Sequence, residues 1–138
     1  VAAQVADCLA AMHAEGYVHR DIKRKNLLRD DSFDVTGRVA VAGFQFATRV
    51  AEGTTRSRGA PINIAPEVWQ SEESSARAPT ACDIFALGAI LYESLTGQQA
   101  FAGSELEVIL EKLAQPPKKL VLPREVVEGG RREPLARV

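Results

Sequence analysis

The stretch from Ile84 to Leu95 constrains the fold more than any other part of this chain. Wound as a helix it is apolar on nearly all sides, interrupted at Gly88, Tyr92, Glu93 and Ser94. It falls short of the ~20 apolar residues needed to cross a bilayer. Such a helix has to be covered on every face, so it belongs at the centre of a domain. Thr80 and Asp83 form a candidate capping box at its start, and Gly97 supplies the stop. A chain of 138 residues has room for one modest domain with a single core around that helix.

The bulk properties exclude several classes. Hydrophobic residues make up 46% and charged residues 25%, which is ordinary for a globular protein. A formal net charge of -1 gives no electrostatic case for a nucleic-acid partner or an acidic membrane surface. Cys8 and Cys82 lie far apart, outside any Cys/His cluster, so neither a zinc site nor a disulfide framework is implied. A reducing, cytoplasmic setting is the expectation.

The segments around the central run read as follows. Val1, Val5, Cys8, Leu9 and Met12 recur at helical spacing, and Gly16 ends that first helix. Residues 17–26 are polar and basic without a helical period, hence a loop. Leu27-Leu28 and Val39 to Ala42 read as short strands, with turn residues at Asp30-Asp31-Ser32 and Thr36-Gly37 between them. Residues 46–64 read as one long loop. Pro66 can open a short helix through Trp69, and Ser71 to Pro79 is a polar surface connection. Ser104 and Glu107 form a second capping pair ahead of the stripe Leu106, Ile109, Leu110 and Leu113, which Pro116-Pro117 terminate.

The loop after the first helix reads His19-Arg20-Asp21-Ile22-Lys23-Arg24-Lys25-Asn26. This run resembles the catalytic loop of eukaryotic-type protein kinases, and the resemblance implies phosphoryl transfer. Asp21 can orient a substrate hydroxyl, Lys23 can balance charge on a moving phosphoryl group, and Asn26 can offer an oxygen to magnesium. Within that resemblance Lys23 is placed as in serine/threonine kinases. Gly59-Ala60-Pro61, Ala65-Pro66-Glu67, Asp83 to Gly88 and Tyr92 to Gly97 continue the resemblance in order. It covers residues 1 to about 115; residues 116–138 read as a poorly anchored tail.

The resemblance implies a mainly α C-terminal lobe of the kinase fold, with helices around a central buried helix and a small β-hairpin beside the catalytic loop. It implies ATP and magnesium as cofactors and a protein substrate or partner. Asp83 is expected to pin the backbone of the catalytic loop, and His19 to stack on Phe44. Arg20 is placed to receive a phosphate on Thr54, Thr55 or Ser57.

Three departures bear on activity. Where the family has Asp-Phe-Gly, this chain has Gly43-Phe44-Gln45, so the carboxylate that holds magnesium is replaced by a glycine. Ala60 stands where serine/threonine kinases usually carry Thr. No glycine-rich phosphate loop or Val-Ala-Ile-Lys strand occurs; these belong to an N-terminal lobe that would precede Val1. No arginine is assigned to pair with Glu67. Three readings stay open: a degenerate, non-catalytic kinase relative; a serine/threonine kinase active only in a longer form; or a partial product without an independent role. As given, the chain is expected to leave apolar surface uncovered and to be unstable or aggregation-prone alone.

Overall fold

The structure is a computed structural model that describes residues 1–30, 37–52, 64–66, 68, 80–101, 103, 104, 107, 108, 111 and 114. Helix α1 covers Ala2–Ala14 and helix α2 covers Ala81–Thr96. Between them run four short strands: β1 at Tyr17–Val18, β2 at Leu27–Asp30, β3 at Arg38–Val41 and β4 at Thr48–Arg49. Single 3₁₀ turns occupy Arg24–Asn26, Phe44–Phe46 and Val50–Glu52.

α1 ends as its sequence requires. Gly16 takes φ +78°, a left-handed conformation open to glycine at little cost, and its N–H donates to the His13 carbonyl. Val5 and Leu9, one turn apart, are fully buried, whereas Cys8 is exposed and Val1 is 41% exposed. The buried stripe is therefore narrower than the spacing alone predicts. Gln4 fixes α1 to the sheet: its Oε1 accepts from Val39 N at 2.8 Å, and its Nε2 donates to the Gly37 carbonyl at 3.3 Å.

β2 and β3 pair antiparallel in the register Leu27↔Val41 to Asp30↔Arg38. Asp30 thus belongs to the strand rather than the turn; residues 31–36 lie outside the described residues. A second antiparallel pair, β1 with β4 (Tyr17↔Arg49, Val18↔Thr48), falls within two stretches that read as loops. The Arg49 Nε–H donates to the Tyr17 hydroxyl at 3.0 Å across this pair.

Among the described residues, buried apolar side chains form two clusters. Val5, Leu9, Ile22, Ala86, Leu87 and Ile90 make the first; Val18, Ala65 and Cys82 make the second. α2 contributes to both, and Asp83 lies on it between Cys82 and Ala86. Coverage of α2 is also one-sided among the described residues. Ile84 is 52% exposed, and a Cβ added at Gly88 would meet nothing within 4 Å. Apolar surface on the central helix is thus uncovered at Ile84. No helix among the described residues is long and apolar enough to cross a membrane.

The two capping pairs behave differently. Thr80 has helical backbone angles and makes no side-chain cap, and the Asp83 carboxylate is engaged by the His19 and Arg20 amides. Ser104 and Glu107 do close a reciprocal box: Ser104 N donates to Glu107 Oε2 at 2.7 Å, and Glu107 N to Ser104 Oγ at 3.4 Å. Pro66 and Val68 are helical, and Val108 is 4% exposed. Trp69, Leu106, Ile109, Leu110, Leu113, residues 71–79 and the tail 116–138 lie outside the described residues.

Two outcomes follow from this packing. Leu9→Ala should cost about 2–5 kcal/mol in chemical denaturation, as deletion of a buried leucine does, while Cys8→Ala should stay within about 0.5 kcal/mol, as exposed substitutions do. The hydrogen bonds from Ser104 hold the Glu107 carboxyl below the usual glutamate range. A lowered folded value means stabilisation that is complete above the unfolded value and lost as pH falls through the folded one. The stability difference between wild type and Glu107→Gln should accordingly shrink on acidification through that window, measured by thermal melts across pH.

Candidate active site

The loop between β1 and β2 is held from below by one carboxylate. Asp83 is 1% exposed. Its Oδ2 accepts from His19 N at 2.9 Å, and its Oδ1 accepts from Arg20 N at 2.8 Å. His13, in the last turn of α1, places Nε2 at 2.8 Å from the same Oδ2. Buried backbone donors at a bend need such acceptors, because an unpaired buried N–H costs about 1–3 kcal/mol. The bend is sharp: Arg20 has φ +67°, the one non-glycine residue in the left-handed region among those described.

His19 carries the constraint upward. It is fully buried. Its Nδ1 accepts from Asp21 N at 3.3 Å, so its proton sits on Nε2, which donates to the Ala42 carbonyl at 3.0 Å. Ala42 N in turn donates to the Asn26 carbonyl at 2.8 Å. The end of β3 is thereby fixed against the loop, and Gly43, Phe44 and Gln45 arrive beside Asp21. The rings of His19 and Phe44 touch at 4.9 Å between centroids but cross at 55°, so they are tilted rather than stacked. Phe44 is 56% exposed.

Asp21 is the focus. Its side chain is 2% exposed, and Oδ2 forms an ion pair with Lys23 Nζ at 2.7 Å. Asn26 Nδ2 donates to the same oxygen at 3.0 Å and to the Asp21 backbone carbonyl at 2.7 Å. Gln45 Nε2 donates to it at 3.1 Å. Arg24, next in the loop, reaches Glu93 of α2 at 3.0 Å in an exposed pair, worth at most about 1 kcal/mol.

Gly43 adopts φ +83° and lies directly against Asn26. A Cβ there would fall under 3.0 Å from the Asn26 Nδ2, Cγ and Oδ1. Any side chain at 43, a carboxylate included, therefore requires Asn26 to give up its present position. Among the described residues, no group of three or more His, Cys, Asp or Glu is arranged to hold a metal ion.

The structure thus brings together Asp21, Lys23, Asn26, His19, Arg20, Gly43, Phe44 and Asp83. Glu67, Ala60, Thr54, Thr55 and Ser57 lie outside the described residues. Two contacts escaped the sequence reading. Nothing local to His13 signals that its ring meets Asp83 across 70 positions of chain. Gln45 stands where the family has glycine, and nothing local signals that its amide turns onto Asp21.

A family model described as "Protein kinase domain" matches residues 1–127. The serine/threonine-protein kinase PkaA of Streptomyces coelicolor is 36% identical over 124 residues, 85% of this chain. The serine/threonine-protein kinase PEPKR2 of Arabidopsis thaliana is 38% identical over 103 residues, 73% of this chain. The serine/threonine-protein kinase PDK1 of Cryptococcus neoformans is 30% identical over 139 residues, 94% of this chain. The matched regions are 22%, 20% and 10% of those three proteins, so the chain spans only a small part of each relative's length.

The Asp83 network makes a quantitative claim. Asp83→Ala strands the buried His19 and Arg20 amides and should cost about 3–5 kcal/mol, in the range for breaking a buried charged network. Asp83→Asn, which keeps one acceptor oxygen, should cost less. Urea denaturation of the two variants against wild type checks both the size and the order.

Proposed function

The chain belongs to the protein kinase family, and on that premise we propose that it forms C-terminal-lobe structure of a serine/threonine-kinase-like domain with impaired phosphoryl transfer. The observation that carries the impairment is Gly43 packed against Asn26. The family uses ATP with magnesium, and the residues here do not fit that ion. Magnesium prefers charged oxygen ligands in octahedral geometry. Position 43 supplies no side chain, Asn26 turns its amide nitrogen toward Asp21, and Asp21 Oδ2 already accepts Lys23, Asn26 and Gln45. Magnesium chemistry supplies several kcal/mol of transition-state stabilisation. Its loss corresponds to rates lowered on the order of thousands-fold, at about 1.4 kcal/mol per tenfold.

What the chain keeps is the apparatus for positioning a protein hydroxyl. In this reading Asp21 accepts the hydrogen bond from a serine or threonine side chain and aims its oxygen, while Lys23 balances charge nearby. The 2.7 Å Lys23–Asp21 pair supports a second reading, residual transfer by a longer protein that supplies its own nucleotide cleft. A protein partner bound without catalysis fits the first reading. A cytoplasmic location remains part of the proposal.

The test uses the full-length protein with radiolabelled ATP, magnesium and a generic serine/threonine substrate. Transfer should not exceed that of the Asp21→Ala variant. Transfer well above this control would overturn the impairment and favour the second reading.

A further inference from the structure

Three nitrogen donors converge on a single carboxylate oxygen. Lys23 Nζ, Asn26 Nδ2 and Gln45 Nε2 lie at 2.7, 3.0 and 3.1 Å from Asp21 Oδ2. The first two come from the loop that carries Asp21 itself. The third comes from the other side of the site, on the 3₁₀ turn Phe44–Phe46 that follows β3. The Gln45–Asp21 bond therefore ties two separate chain segments together at the candidate active site. A magnesium ion held in the family's manner would draw on position 43 and Asn26, which lie on these same two segments.

We infer that Gln45 is a positioning residue, the closing donor of a metal-free clamp on Asp21 that braces the loop against residues 43–46 without a divalent cation. The chemistry favours this assignment. Glycine at 45 would have no side-chain donor, and a carboxylate there would repel Asp21; an amide has the length and polarity to donate. A carboxylate with its side chain 2% exposed is stabilised by charge-assisted hydrogen bonds, and Gln45 adds one to those of Lys23 and Asn26. Gly43 completes the arrangement. It leaves the space in which the Asn26 amide lies, so Asn26 can turn its nitrogen to Asp21.

The inference rests on the metal-poor reading of the site, but its readout is metal binding rather than phosphoryl transfer. The two can therefore fail separately. The experiment compares full-length wild type, Gln45→Glu, Gln45→Ala and Asp21→Asn/Gln45→Glu. Melting temperature is recorded in chelator and in Mn²⁺, and Mn²⁺ affinity is measured by electron paramagnetic resonance with the metal alone. Gln45→Glu replaces the donor with an oxygen at the same reach, setting two carboxylates against each other across the clamp. It should melt below wild type in chelator, recover with Mn²⁺, and bind Mn²⁺ at least tenfold more tightly than wild type. Gln45→Ala should melt lower without gaining Mn²⁺ dependence. The Asp21→Asn/Gln45→Glu double variant should lose the Mn²⁺ gain. Wild-type melting and Mn²⁺ affinity in Gln45→Glu would overturn the inference, as would a Mn²⁺ gain that survives in the double variant.

Discussion

The buried Asp83 carboxylate is the interaction on which the rest of the site depends. A loop that reverses direction in the interior exposes backbone amides that the sheet cannot satisfy. Asp83 satisfies two of them, at His19 and Arg20, and meets the His13 ring as well. This permits Arg20 to hold its left-handed backbone, a conformation that costs a non-glycine residue roughly 1–3 kcal/mol unless its surroundings enforce it. With Arg20 fixed, His19 points at Ala42, Ala42 fixes the approach to Gly43, and Gln45 reaches Asp21. The order of cause runs from the core helix outward.

That order explains what the sequence discloses and what it conceals. The helix α2, the break at Gly16, the β2–β3 pair and the box at Ser104 and Glu107 follow from local rules, because their signals lie within a few residues of each other. The motif His19 to Asn26 and its partner Asp83 were legible through resemblance. The pairing of β1 with β4 was not: two residues on each side carry no periodicity, and the pair joins positions 17–18 to 48–49. The capping role read for Thr80 and Asp83 failed for a related reason. Local spacing allowed Asp83 to cap its own helix, but both of its oxygens accept from the buried loop amides of His19 and Arg20 instead. Cys8 lies on the apolar side of a helical wheel yet is exposed, whereas Val5 and Leu9 join the buried cluster with Ile22 and Leu87.

The one-sided cover of α2 has a similar origin. Its composition is apolar enough to be surrounded, but Ile84 remains 52% exposed while Ala86, Leu87 and Ile90 are buried. Apolar content reports that a helix tolerates burial; which faces are buried depends on the residues brought against it. Here α1 and Ile22 serve one side of the helix, and Val18 and Ala65 meet Cys82 on it. Asp83 falls between those apolar contacts, where the polar loop crosses.

Folding and chemistry place separable demands on this site. Asp83, His19, Ile22 and Val18 are buried, and the loop cannot close without acceptors for its amides. Their presence follows from packing whether or not phosphate is transferred. The arrangement of His19, Arg20 and Asp21 is for that reason weak testimony to catalysis. Position 43 is different: the backbone there is satisfied by glycine, and a side chain would collide with Asn26 rather than fill a void. A carboxylate at that point would serve magnesium and nothing in the packing. The residue that discriminates an active site from its scaffold is thus the one the fold does not need. Here that residue is glycine, and the donors that gather on Asp21 (Lys23, Asn26 and Gln45) come from both segments of the site.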